Sequence, residues 1–147
     1  MHAAAASGLG FLLSVLWFDL MFDVQARGTA GDLSAEVRDS IAGYYRRVTT
    51  AARPMNRLVA LAMLVTLAAI VGELVTDAVP AAIAWISLGL AALAIGLAAA
   101  RTVRNAMRLG SQADDTARQS TLARAILRDH LACLAAIVVA LVLQVAA

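Results

Sequence analysis

The chain has no lysine, one cysteine, two prolines and two histidines among its 147 residues. A single thiol, Cys133, excludes an internal disulfide and any multi-cysteine metal site. Its Leu-Ala-Cys-Leu-Ala setting reads as a small buried apolar residue. There is no Gly-rich phosphate loop, no HExxH helix and no nucleophile elbow, so the common phosphate-binding, metallopeptidase and hydrolase chemistries have no foothold. Charged residues make up 15% of the chain, well below the roughly 25% usual in soluble domains. The formal net charge of +2 is better explained by membrane orientation than by nucleic acid, and no nucleic-acid partner is expected.

Apolar residues fill the gap at 62% of the chain, in runs long enough to cross a bilayer. Four transmembrane helices are expected, at about 3–24, 58–75, 81–100 and 131–147. In the first, the uncharged stretch Ala3 to Phe18 is roughly 24 Å long as a helix, which leaves Asp19 and Asp23 at or inside the membrane boundary. Val24-Gln25-Ala26 imitates a signal-peptide cleavage site. The lack of basic residues before the run, and the two aspartates that interrupt it, favour a retained span.

Between the first two spans, Leu33, Val37, Ile41, Tyr44, Tyr45 and Val48 recur at helical spacing, with charged residues between them. This predicts an amphipathic helix over about 33–50, capped by Asp32 or Ser34 and lying on the cytoplasmic membrane surface. Pro54 precedes the second span, with Thr50 or Ala52 near its cap, and Pro80 opens the third after a tight turn. Ala92, Gly96 and Ala100 form a small-residue ridge on which a neighbouring helix could pack. A cytoplasmic helical hairpin is expected over about 101–128, turning at Leu109-Gly110-Ser111, with Ser111 or Asp114 near the next helix start. The fold expected is an all-α membrane protein, one domain over 1–147, with four transmembrane helices in an antiparallel bundle plus the surface helix.

All 12 basic residues are arginines confined to two connections: Arg27, Arg38, Arg46, Arg47, Arg53 and Arg57, then Arg101, Arg104, Arg108, Arg118, Arg124 and Arg128. Basic residues near span ends stay on the cytoplasmic side, so both connections are expected inside and both termini outside a bacterial cytoplasmic (inner) membrane.

Asp19 and Asp23 share a helix face, and the last span re-enters from the same side at His130, so the three side chains are expected to meet. Carboxylates with a neutral imidazole suit protons or a divalent metal such as zinc, manganese or iron. The structural alternative pairs the aspartates with Arg57, Arg101 or Arg104. A haem held by two histidines is not expected, since His2 falls at the opposite membrane face from His130. Glu73 and Asp77 form an external acidic pair. Tyr44, Tyr45, Arg46 and Arg47 are expected to contact lipid headgroups, and both tyrosines, like Trp17 and Trp85, suit aromatic belts.

The small size and absence of a complete catalytic set favour a non-enzymatic helper or structural subunit of a membrane complex. The alternatives are a homo-oligomeric proton or small-cation carrier or channel using Asp19, Asp23 and His130, and a metal-dependent membrane enzyme on the same residues. Expected partners are the lipid bilayer and other membrane subunits or further copies of the chain.

Overall fold

A computed structural model of the chain describes residues 1–28, 31–51 and 53–147, without the side chain of Arg53, and every regular element among them is helical. Helix α1, His2–Asp23, runs into a 3₁₀ turn at Val24–Ala26. Helix α2, Ala35–Arg46, begins where Ser34 Oγ accepts the Val37 N–H at 3.3 Å. Glu36 in its first turn and Arg46 in its last complement the helix dipole. A π turn, Arg47–Ala51, follows. Ala52, a suggested cap of the next helix, lies outside the described residues.

Helix α3, Arg53–Thr76, stops at Asp77, which adopts a left-handed backbone with φ 49°, while the Ala78 N–H donates to the Glu73 carbonyl at 3.2 Å. That bond satisfies a carbonyl the helix end would otherwise orphan. Helix α4, Ala81–Leu97, is carried through a π turn, Ala98–Thr102, into α5, Val103–Ser111. The stop falls at Gln112, left-handed with φ 53°, so Gly110 lies within the helix. Helix α6, Thr116–Val145, is capped by Asp115, whose carboxylate accepts the Arg118 N–H at 2.8 Å. Asp114 stands one residue before this cap, near the helix start as expected, but does not cap it, and Ser111 ends α5. Asp114 instead receives two hydrogen bonds from Arg108, at 2.7 and 2.6 Å, which hold its carboxyl below the usual carboxylate range.

Four helical stretches are long and apolar enough to cross a membrane: His2–Ala26, Pro54–Thr76, Ala81–Ser111 and Thr116–Val145. The expected spans 3–24, 58–75 and 81–100 fall inside them, and the last runs past the final helical residue, Val145. Helix α6 packs against α1 and α4, and α3 packs against α1 and α4. Leu9, Leu12, Ile70, Ala91 and Ile137 are buried where these helices meet. Trp17 and Trp85 face outward.

The ridge of Ala92, Gly96 and Ala100 is also exposed, and a Cβ added at Gly96 would meet nothing within 4 Å. The face of α4 that is buried carries Ala84, Ser87, Ala91 and Ala94 instead.

A second cluster, built from Leu20, Ile41, Tyr45, Leu109 and Ile126, joins α2 and α5 to the first turns of α6. Here the apolar stripe of α2 covers protein, which corrects the expectation that it rests on lipid. Gly110 makes the packing possible: a Cβ there would lie 2.8 Å from the Arg46 backbone nitrogen. Polar bonds add to it, from Arg38 to Thr116 Oγ1 at 2.7 Å, from the Leu33 N–H to Ser120 Oγ at 3.0 Å and from Gln112 to Asp39 at 2.9 Å.

Candidate functional site

Helical spacing places Asp19 and Asp23 one turn apart on α1, and the packing of α6 along α1 sets His130 between them. His130 Nδ1 lies 2.6 Å from Asp23 Oδ2, and Nε2 lies 3.8 Å from Asp19 Oδ2. The first contact is a charge-assisted hydrogen bond, whereas the second exceeds hydrogen-bond length. Asp23 is wholly buried, and Asp19 keeps 18% of its side chain exposed.

Helix α2 completes the arrangement. Tyr44 donates its hydroxyl to Asp19 Oδ1 and Tyr45 donates to Asp23 Oδ1, each at 2.6 Å. The Tyr44 ring stacks on Phe22 with centroids 4.1 Å apart and meets Tyr45 edge-on at 5.2 Å. Burial, then the charges of Asp19 and Asp23, push both phenols above their ordinary ionisation range. Both tyrosines therefore remain donors. They belong to the aspartate site and are not the headgroup contacts expected of them, while Arg46 and Arg47 are exposed. Their position was indicated by the stripe they share with Ile41 and Val48, which the aromatic-belt reading set aside.

The suggested arginine partners go elsewhere. Arg101 grips Asp129 through Nε at 3.0 Å and a terminal nitrogen at 2.5 Å, and the Thr102 hydroxyl stands 3.4 Å from the same carboxylate. Arg104 donates to the Ala100 carbonyl, and Arg57 is exposed with no ion pair to a described residue. The buried Asp129, beside His130, went unrecognised as the acid Arg101 requires.

At the opposite end of α1, roughly 30 Å away at 1.5 Å per residue, a second polar group forms. Glu73 is wholly buried, with Oε1 3.3 Å from His2 Nδ1 and Oε2 accepting from Gln144 Nε2 at 2.9 Å. Asp77 is exposed, so the acidic pair of the sequence is divided between the interior and the surface. His2 and His130 belong to separate clusters and do not meet.

A cavity of about 540 Å³ opens beside the aspartate site, lined by residues of all six helices and by Asp19, Tyr44, Tyr45 and His130. Both π turns contribute, through Val48 and Thr49 and through Ala98 and Thr102. Such turns interrupt a helix and recur at functional sites.

Among the described residues, no three His, Cys, Asp or Glu side chains are placed to hold a metal ion. The geometry gives the reason. Nδ1 and Asp23 Oδ2 bond directly at 2.6 Å, closer than two ligands each about 2.0–2.2 Å from one tetrahedral metal would stand, and phenols occupy Oδ1 of each carboxylate. Only Asp19 Oδ2 and His130 Nε2 stay open, fewer donors than the three protein ligands of a catalytic site. The divalent metal suggested by residue type does not fit these donors. Cys133 is buried with its thiol 3.5 Å from the Ala94 carbonyl.

By length and composition of its helices, the chain is a multi-pass membrane protein with a buried carboxylate–imidazole–carboxylate group on a cavity wall. Comparison with known proteins finds no matching family model, no similar curated protein and no similar solved structure.

Proposed function

We propose that the protein is a small membrane carrier in which Asp19, Asp23 and His130 exchange protons with the cavity beside them. One observation carries this reading: two carboxylates share one imidazole, and only Asp23 is hydrogen-bonded to it. A structural ion pair would close on itself, as Arg101 and Asp129 do. Asp19 leaves Oδ2 outside any such closure, on a wall that a small molecule or a proton can reach. Intramembrane acids are costly to bury without a role, and imidazole exchanges protons near neutral pH.

In this reading the spans run antiparallel across a bacterial cytoplasmic membrane. Both arginine-rich connections and α2 lie inside, and both termini lie outside. The cluster then faces the cytoplasmic half of the bilayer. More than one copy takes part in transport, since a single four-helix bundle has little room for a continuous path.

Reconstitution into liposomes holding a pH-sensitive dye tests the proposal. Wild-type protein should carry protons across the bilayer, and Asp19→Asn and His130→Ala should each abolish the flux while circular dichroism shows intact helices. Unchanged flux in both variants, accompanied by lower thermal stability, would return the cluster to a structural role and the chain to that of a helper subunit.

A further inference from the structure

Resting on the proton-exchange reading, we infer that the cavity binds a lipophilic monocation, which competes with a proton for the Asp19 carboxylate. The volume of about 540 Å³ is that of a small-molecule site, and the wall is mostly apolar, with Phe18, Met55, Met63 and Ile137 among its residues. Asp19 lines it beside the His130 imidazole, and among the described side chains no arginine does.

The ionisable groups facing the cluster give its charge. Helix α1 supplies Asp19 and Asp23, α2 supplies Tyr44 and Tyr45, α6 supplies Asp129, His130 and Cys133, and the π turn after α4 supplies Arg101. Among its described side chains, helix α3 offers the wall Asn56 and no ionisable group. Arg101 pairs with Asp129 and His130 with Asp23, while Asp19 has no cationic partner at hydrogen-bond distance among the described residues.

An uncompensated charge in a low-dielectric wall is costly, and either a proton or a cation removes it. Each excludes the other, because both neutralise the same oxygen atoms. Phosphate or carboxylate headgroups meet like charge at Asp19 and find no guanidinium among the described lining residues. The rings of Phe18 and Tyr44 add attraction for a cation of spread charge, which also sheds its hydration easily. On binding, one monocation enters and one proton leaves Asp19 for solvent, so the charge of the site is conserved.

Tetraphenylphosphonium and tetraphenylborate, alike in shape and opposite in charge, provide the test when titrated calorimetrically into the full chain in detergent. The cation should bind and release one proton. Below the competing ionisation, its affinity should fall about tenfold per pH unit. Asp19→Glu should keep binding, whereas Asp19→Asn should weaken it and end the proton release. Ala60→Trp, which adds bulk at an exposed lining position and leaves Asp19 intact, should also abolish it.

Equal binding of the borate overturns the assignment, as does full affinity in either Asp19→Asn or Ala60→Trp. Proton flux in liposomes without cation binding overturns the ligand and leaves the carrier reading standing. Cation binding with no proton released and no pH dependence overturns proton exchange at Asp19.

Discussion

Asp23 and His130, 107 residues apart in the chain, meet at 2.6 Å with the carboxylate wholly buried. The bond sets the axial register of α1 against α6, because sliding either helix by one turn would move its partner about 5.4 Å away. The same carboxylate accepts the Tyr45 hydroxyl, so α2 is keyed to that register as well.

Tyr45→Phe should therefore destabilise the protein by about 1.5–3 kcal/mol, the range for a hydrogen bond to a charged group whose partner stays buried. Tyr44→Phe should cost less, because Asp19 is partly open to the cavity and the stack on Phe22 survives. Thermal unfolding in detergent ranks the two variants. An equal or larger loss in Tyr44→Phe would show that Asp23 does not depend on its phenol.

The two phenols also give the fold an alkaline limit. Their ionisation is raised in the folded state, by burial first and then by Asp19 for Tyr44 and Asp23 for Tyr45. A raised value means the folded state favours the protonated form. The contribution is fully present below the unfolded value of about 10 and is lost as pH rises above it. The chain has only two tyrosines, so the near-ultraviolet phenolate band should appear together with the loss of helical circular dichroism. A reversible phenolate step near pH 10 with helicity intact would contradict the buried placement of these rings.

The helices and the meeting of Asp19, Asp23 and His130 were legible because each depends on spacing along one helix and on the order in which spans enter the bilayer. Side-chain direction was harder. Tyr44 and Tyr45 carry both an apolar ring and a polar tip, so a membrane interface and a buried acid suit them equally until the packing of α2 on α5 is known. Glu73 presents the same difficulty: the end of a span suggests an exposed acid, yet His2 and Gln144 arrive from two other helices to satisfy it. Arg101 had several acids within plausible reach, and only the relative rotation of α6 selects Asp129.

Gly110 should tolerate substitution far worse than Gly96. A methyl at Gly110 would stand 2.8 Å from the Arg46 nitrogen and 3.1 Å from its Cα, both backbone atoms that cannot turn aside. Gly110→Ala should therefore force α5 from α2 and cost about 1–3 kcal/mol by overpacking. Gly96→Ala meets open space and should be neutral or stabilising by up to about 1 kcal/mol through helix propensity. The difference in melting temperature between these variants measures the contact, and equal melting would mean α2 is not seated against α5.

Arg101 and Asp129 form a one-sided burial, with 51% of the arginine side chain exposed and 3% of the aspartate. Arg101→Gln strands a carboxylate whose remaining hydrogen-bond contact among the described residues is the long one to Thr102, at 3.4 Å. Breaking a fully buried pair costs about 3–5 kcal/mol, but water screens this guanidinium, and roughly 1–3 kcal/mol is expected. Arg101→Gln combined with Asp129→Asn removes the stranded charge and should recover part of the loss, so the two substitutions should be non-additive. Arg104→Gln is the control, since that guanidinium reaches the Ala100 carbonyl of the adjoining π turn and no carboxylate of a described residue. If Arg101→Gln melts no lower than Arg104→Gln, or if the double substitution is simply additive, the ion pair does not hold α6 against the π turn, and the position of His130 must rest on Asp23 and the surrounding apolar packing alone.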